Sequence, residues 1–209
     1  MISFKLDPRL AKEAESNIRI TEPGPYTGYI TQAYIWVSEK GTQGFRIDFK
    51  SPEDGEIKGL TLWIKKENGD SINIGHAKLN ALMTCLKIRE TNGVDGIVKI
   101  YDFDSKSDVE DKGIIFPDFI NKKIGFLFES NNYYNSNGEL KESLAINTCF
   151  DAETRQTATE ILENKPASKL EKRIESVIKK QADLESKKKF FGETVDYSSQ
   201  NPLSEDIPF

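Results

Sequence analysis

A change of hydrophobic period partway along the chain constrains the fold more than any other feature of this sequence. From residue 43 to residue 50 apolar and polar side chains alternate, which is the pattern of a β-strand with one buried face. A later stretch instead spaces its apolar residues at i, i+3, i+4 and i+7, the stripe of an amphipathic helix. The alternating apolar residues are Phe45, Ile47 and Phe49, and the helical ones are Leu79, Leu82, Met83 and Leu86. We therefore expect a sheet with at least one helix packed on it.

Strand-like segments lie on both sides of the helix, which is predicted over residues 75–88. They are rich in Ile, Val, Tyr, Thr and Trp, and turn sequences containing Gly, Pro or Asn separate them. The predicted strands are 26–37, 43–50 and 57–65 before the helix, and 96–103, 122–130 and 142–150 after it. The polar, acidic residues 102–118 predict a long loop, and the Asn-rich residues 131–138 predict a hairpin loop.

This order of elements indicates a mainly β fold. Three strands, one helix and then further antiparallel strands predict an OB-fold-like barrel, whose faces and loops bind single strands and sugars. Another small barrel or an α+β sheet is the alternative. The chain then divides into an N-terminal extension (1–25), the barrel (26–150), a helical basic segment (151–190) and a disordered acidic tail (191–209).

The net charge of −5 conceals an uneven distribution of charge near the C-terminus. Residues 165–189 contain nine Lys or Arg against four acids, a local charge of +5, whereas residues 190–209 contain four acids and no base. The basic segment also has a 4-3-4-3 spacing, which predicts either a short coiled coil, and so a homodimer, or a helix whose stripe lies on the barrel. The residues of this stripe are Leu170, Ile174, Val177, Gln181 and Leu184.

The composition argues against several classes of protein. A single histidine, His76, leaves almost nothing for a Ser-His-Asp or multi-His metal site, so we expect neither an enzyme nor a cofactor. Cys85 and Cys149 stand far apart in sequence and suit a reducing compartment. No apolar run of membrane-spanning length and no secretory signal is present, so we expect a cytoplasmic protein without a membrane partner.

The C-terminal peptide is the most specific feature of the sequence. Two acids precede an Ile-Pro-Phe end: the residues are Glu205, Asp206, Ile207, Pro208 and Phe209. Apolar side chains can fill pockets on a partner, proline lowers the entropy lost on binding, and the carboxylates can pair with Arg or Lys. We therefore interpret this end as a portable ligand for other proteins.

This peptide closely resembles the acidic tip of bacterial single-stranded DNA-binding proteins, which ends in Asp-Asp-Ile-Pro-Phe or nearly so. Four of these five residues are shared, and Glu205 is a conservative difference. The resemblance covers the tail only, because a basic helical segment replaces the usual Gly- and Gln-rich linker. The chain as a whole is most like a bacteriophage-encoded member of the family, one that carries the same C-terminal tip as the protein of its host.

The resemblance implies a non-enzymatic protein that binds and protects single-stranded DNA during replication, recombination and repair in the bacterial cytoplasm. In that family the tip recruits replication and repair proteins and can compete with DNA for the DNA-binding domain. A recombination mediator or strand-annealing protein is the alternative within the same class. A metal-dependent nuclease is the alternative of another class, although the acids and lysines around Glu56 and Asp118 fall in turns and form no recognisable site.

Such a protein needs aromatic rings for stacking and cations for phosphates, and strand alternation supplies candidates. Four neighbouring strands are expected to turn apolar residues inward: Ala33, Ile35, Val37, Phe45, Ile47, Phe49, Leu60, Leu62, Ile64, Val98 and Ile100. The residues between them are then expected on one outer face as the DNA-binding set: Tyr34, Trp36, Arg46, Lys50, Trp63, Lys65, Lys99, Tyr101 and Phe103. Tyr133 and Tyr134 in the predicted hairpin loop could close over a strand or stack on their own barrel.

Overall fold

The computed structural model describes residues 5–6, 18–102, 107–134 and 138–191. The strands are β1 (Gly24–Val37), β2 (Gln43–Ser51), β3 (Gly55–Lys65), β4 (Val94–Asp102), β5 (Ser107–Ile115), β6 (Lys123–Tyr134) and β7 (Leu140–Phe150). The helices are α1 (Asn73–Cys85), α2 (Ala158–Leu162) and α3 (Lys169–Phe191), with one 3-10 turn at Pro117–Phe119. The fold is therefore mainly β, as the hydrophobic pattern predicted.

All seven strands belong to one antiparallel sheet that does not close. The sheet runs in the order β3-β2-β1-β5-β4, and β6 pairs with both β1 and β7. Strand β1 is long enough to pair with β2 along one edge, and with β6 and then the end of β5 along the other. Strands β3 and β7 touch, but no ladder of hydrogen bonds joins them among the described residues. This contact is called the β3–β7 seam below.

The core forms where the alternating strands face the helix. Phe45, Ile47 and Phe49 of β2 are buried, as their alternation predicted. Leu82 of α1 is buried in the same cluster, against which other residues of the helical stripe pack. Burial of these apolar faces is the main force that holds the helix on the sheet. The change of hydrophobic period therefore located the core correctly.

The prediction of a long loop over residues 102–118 is wrong. Residues 107–115 form β5, which pairs with β4 along its whole length in a two-stranded ribbon. Most of β5 is exposed, so no buried face imposes the alternation that would have revealed a strand. This ribbon, β4 with β5, is called the arm below.

The hairpin between β6 and β7 is also tighter than the sequence suggested. Strand β6 continues to Tyr134, and Tyr133 pairs with Lys141 of β7. Both tyrosines are therefore strand residues, and the prediction that they lie in a loop is wrong. The polar Asn-rich composition misled because both strands are only partly buried there.

The basic segment packs on the sheet through its apolar stripe. Leu170 and Val177 of α3 are buried against Leu127 and Phe150. The stripe of α3 thus contacts the sheet of its own chain. Of the two structures predicted from the 4-3-4-3 spacing, this is the helix whose stripe lies on the strands. In the first part of the segment predicted to be helical, residues 151–168, the structure has one helix, Ala158–Leu162.

Part of the segment predicted as an N-terminal extension, residues 1–25, packs with the sheet. Ile20 is buried in the core cluster, and its N–H donates to the carbonyl oxygen of Glu56 at 2.9 Å. Residues 18–25 therefore belong with the sheet. The acidic tail, including the candidate tip Glu205, Asp206, Ile207, Pro208 and Phe209, lies outside the described residues.

The fold also brings the two cysteines together. Cys85 at the end of α1 and Cys149 in β7 are buried, and their Sγ atoms are 3.8 Å apart without a disulfide. The hydrogen bond that the Cys149 thiol donates to Cys85, together with burial, raises the pKa of Cys149 well above its usual value. In the described part of the chain, no helix is long and apolar enough to cross a membrane.

Candidate nucleic-acid interface

Two tryptophans meet on the face of the β1–β2–β3 meander that points away from the core. Trp36 of β1 lies opposite Gly44 of β2, and Gly44 lies opposite Trp63 of β3. A Cβ atom on Gly44 would collide with Thr61 and crowd the Trp63 ring. Because Gly44 has no side chain, the rings of Trp36 and Trp63 contact each other, with centroids 5.5 Å apart and planes tilted by 54°. Both rings stay partly exposed.

An arginine lies beside this pair. Arg46 points to the same face, and its Cζ lies 4.6 Å from the centre of the Trp36 ring, a cation–π contact. The guanidinium also donates a hydrogen bond to Tyr34. Its buried Nε has no hydrogen-bond partner among the described residues, so one donor of the group is unused. Trp36, Trp63 and Arg46 together are called the tryptophan site below.

A polar row follows next along the same face. The carboxylate of Asp48 is buried and accepts hydrogen bonds from Gln32 Nε2 at 2.6 Å and from the Gly59 N–H at 2.7 Å. Burial raises the pKa of Asp48, although these two donors and the charge of Arg46 oppose the rise. The row gives the outer face a fixed set of hydrogen-bonding groups.

The arm folds over this polar row. The amide of Gln32 donates to the carbonyl oxygen of Lys99 at 3.0 Å and accepts from the Lys99 N–H at 2.8 Å. Lys58 Nζ on β3 donates to Asp108 Oδ2 on β5 at 2.8 Å. The arm therefore bridges the outer face from β1 to β3, and among the described residues the two rings of the tryptophan site stay partly exposed beyond it.

Coverage by the arm explains why one predicted stacking residue is unavailable. Tyr34 lies on the outer face, as its alternation predicted, but only 2% of its surface is exposed. It lies opposite Ile115 of β5, at the base of the arm. Burial raises the pKa of its hydroxyl above the usual value. The prediction that Tyr34 is an exposed ring is therefore wrong.

The other residues predicted in β1, β2 and β3 lie where alternation placed them, with one exception. Val37, expected inward, is 51% exposed because it is the last residue of β1. Lys65 is exposed at the end of β3 near the tryptophan site. Lys50 is exposed as well, but it lies six residues along β2 from Gly44, about 20 Å at the usual rise per residue. Lys50 is thus too distant to share a nucleotide with the tryptophan pair.

The expectation that four neighbouring strands share one outer face is wrong. Strand β4 borders β5 and not β3, because the arm is a separate ribbon. Lys99 is exposed on that ribbon and pairs with Glu110 at 3.8 Å, and Tyr101 contacts the guanidinium of Arg19 with Cζ 5.9 Å from its ring centre. These two residues lie on the arm, apart from the tryptophan site.

Three further candidates fall elsewhere. Tyr133 is partly buried in β6, and the backbone of Tyr134 pairs with Leu140. Phe103 and the side chain of Tyr134 lie outside the described residues.

Sequence reasoning missed the residues that shape the site. Gln32 and Asp48 occupy outward positions of β1 and β2, so alternation could have placed them. Glutamine and aspartate are common on the exposed faces of strands, however, so their residue types did not mark them as part of a site. Gly44 could have been noticed as a glycine in a strand interior, which often marks a close approach. No sequence signal shows that the arm covers the polar row.

The residues weighed for a nuclease are engaged in other contacts. Lys58 pairs with Glu56 and Asp108, and Asp118 accepts a hydrogen bond from Thr91 at 2.9 Å. Across residues 18–102, 107–134 and 138–191, no three His, Cys, Asp or Glu side chains converge as a metal site would require.

In comparisons with known proteins, the chain matches no family model and no curated protein.

Proposed function

We propose that this protein binds single-stranded DNA through the tryptophan site on an OB-type fold. The order of elements supports the fold: a three-stranded meander, α1, then β6 returning antiparallel to β1 and continuing to β7. The arm is an insertion between α1 and β6. In OB-folds the outer faces of the central strands and the adjoining loops bind oligonucleotides.

One observation carries the proposal. Two partly exposed tryptophans and an arginine form one cluster on an open end of the sheet, and none of the three side chains is needed in the core. Aromatic rings stack on bases of any sequence, and a guanidinium can stack on bases or pair with phosphates. This combination suits an unpaired strand, whose bases are free to leave their own stack.

The test is a titration of the full-length chain with oligo-dT and with a duplex of equal length, at two salt concentrations. The chain contains only two tryptophans, so tryptophan fluorescence, excited at a wavelength that tyrosine does not absorb, reports on the tryptophan site. We expect quenching by oligo-dT that weakens steeply with salt, because phosphate contacts release counterions. We expect much weaker binding of the duplex. Unchanged fluorescence at low salt, with no shift in a gel, would contradict the proposal.

We further propose that the C-terminal tip, Glu205 to Phe209, recruits replication and repair proteins. The sequence of the tip and its resemblance support this role. Deleting residues 203–209 is expected to leave oligo-dT affinity unchanged or tighter while abolishing capture of a helicase, primase or polymerase from bacterial lysate. A chain ending in the same seven residues in shuffled order is the matched control for charge. If the shuffled and the deleted chains both retain the partners, this role is wrong.

A further inference from the structure

Two cations from different helices converge on neighbouring residues of β7. Lys78 of α1 donates from Nζ to the carbonyl oxygen of Ile146 at 2.6 Å. Arg173 of α3 donates from Nη1 to Oδ1 of Asn147 at 3.4 Å, near the limit of a hydrogen bond. Each cation therefore touches the strand with only part of its donor capacity.

No carboxylate forms an ion pair with either cation within the described part of the chain. None of the ion pairs there includes Lys78 or Arg173. Burial lowers the pKa of Lys78 and the charge of Arg173 lowers it further, against the opposing effect of Glu129. Glu129 itself pairs with Lys180 at 3.5 Å. Because Glu129 is shared with Lys180, Lys78 and Arg173 outnumber the acids beside them, and an anion would supply the missing negative charge.

A cavity opens beside Lys78 at the β3–β7 seam, and Asn147, which accepts the hydrogen bond from Arg173, also lines it. Its volume is about 40 Å³, which is room for a few waters, and its polar lining comes from Lys78, Asn147 and Thr148. The rest of the lining is apolar, so an anion would lie at the polar rim of the cavity; these apolar residues are Leu62, Ala81, Leu82, Phe126, Ile146 and Cys149. Waters held by a half-buried ammonium can be exchanged for the oxygens of an anion.

The cavity and the tryptophan site both adjoin the same part of β3. Leu62, which lines the cavity, is the neighbour of Trp63 in β3, and alternation turns the two side chains to opposite faces. Gly75 of α1 packs closely on the carbonyl group of Trp63, and Lys78 follows almost one helical turn later. A strand that leaves the tryptophans and crosses β3 and the start of α1 would reach Lys78 next.

We propose that Lys78 and Arg173, with the side chains of Asn147 and Thr148, bind a phosphate group. This inference rests on the proposed function, because the expected source of the phosphate is the backbone of the single strand that the tryptophan site binds. Free inorganic phosphate presents the same oxygens and is the alternative source that the experiment distinguishes.

The first measurement is the salt dependence of oligo-dT binding. Lys78→Met keeps the length of the side chain in its half-buried position, and Arg173→Gln is a second variant that disturbs less packing. Each is expected to reduce the slope of log K against log salt by about 0.7, the contribution of one phosphate contact on a single strand. Lys172→Gln and Lys179→Gln remove exposed charges from α3, the helix that contains Arg173, and are expected to leave the slope unchanged.

The second measurement is thermal unfolding in inorganic phosphate against chloride at equal ionic strength, without DNA. Phosphate is expected to raise the melting temperature of the unmodified chain, and of both control variants, more than that of Lys78→Met or Arg173→Gln. If only this difference appears and the slopes are unchanged, the site takes free phosphate and the strand path is wrong. If neither measurement separates the variants from the controls, the site itself is refuted. Because the second measurement needs no DNA, it remains decisive even if the proposed function fails.

Discussion

Trp36→Ala or Trp63→Ala is expected to weaken binding of oligo-dT by at least fivefold at low salt, and the double variant by more. Stacking of one base on an aromatic ring contributes about 1–3 kcal/mol, which is roughly a 5- to 150-fold change in affinity. The rings also contact each other, so loss of one leaves the other less well held. The effects of the two substitutions are therefore expected not to add. The measurement is a titration followed by anisotropy of a labelled oligonucleotide, since the variants lose a fluorophore.

Two comparisons separate stacking from general damage to the fold. Trp36→Phe keeps an aromatic ring and is expected to retain most of the affinity, as is Trp63→Phe. Tyr29→Ala removes an exposed ring of β1 seven residues before Trp36 and is expected to change affinity by less than about twofold, since that ring lies away from the tryptophan site and stacks on no base. If alanine at Trp36 and at Trp63 leaves affinity unchanged while thermal unfolding shows intact proteins, the tryptophan site does not bind the strand.

The largest effect on stability is expected from Glu160. Its side chain is buried between α2 and α3, where one carboxylate serves the starts of both helices. It accepts from the N–H and hydroxyl of Thr157 at 2.8 and 2.9 Å, and from the N–H groups of Ser168 and Lys169 at 2.6 and 2.7 Å. The Thr157–Glu160 pair is a capping box, and the other two donors begin α3. Docking of α3 on the sheet therefore depends on this carboxylate.

Glu160→Gln is expected to destabilise the protein by about 2–3 kcal/mol, because an amide nitrogen would face N–H donors that now lack an acceptor. For a chain of this length that loss lowers the melting temperature by roughly 4–12 °C. Glu163→Gln is the matched control, since it removes the same charge from the end of the same helix but breaks only the exposed pair with Lys165. Urea unfolding followed by circular dichroism measures both variants. Equal stability of the two variants would contradict the role of Glu160.

The same carboxylate gives the stability a predictable dependence on pH. Burial alone would raise the pKa of Glu160, but the N–H donors of Thr157, Lys169 and Ser168 outweigh it and hold the pKa at about 2, below the ordinary 4.5. A carboxylate whose pKa falls on folding stabilises the protein above the unfolded pKa and loses this contribution as pH falls through the folded one. The difference in unfolding free energy between the unmodified chain and Glu160→Gln is therefore expected to be constant above about pH 5 and to shrink toward pH 2.

The strands that bury one face were predictable, whereas the exposed ribbon was not. Phe45, Ile47 and Phe49 alternate because every second residue of β2 enters the core, so the pattern carries the structure. Residues 107–115 form a strand that pairs with β4 along its length and with β1 only at Ile115, and backbone pairing of this kind leaves no mark on side-chain polarity. For the same reason the sequence predicted Tyr133 in the loop between β6 and β7, whereas it lies within β6.

Alternation also located Trp36, Arg46 and Trp63 on a common face, because directly opposed residues of neighbouring strands share a side of the sheet. It could not show that Tyr34 on the same face is covered. Exposure depends on what lies above the face, and the arm above it is distant in sequence. Equally, nothing local in the sequence brings Lys78 and Arg173 to adjacent residues of β7.

By itself the sequence determined the mainly β fold, the core-facing sides of the meander, the outward direction of the two tryptophans and the chemical character of the C-terminal peptide. These follow from hydrophobic period and residue type, which are local properties. Only the tertiary structure decided which part of the outer face stays open, and that α3 lies on the sheet with its cations near α1. Such outcomes depend on contacts between segments far apart along the chain, and no local pattern records those contacts.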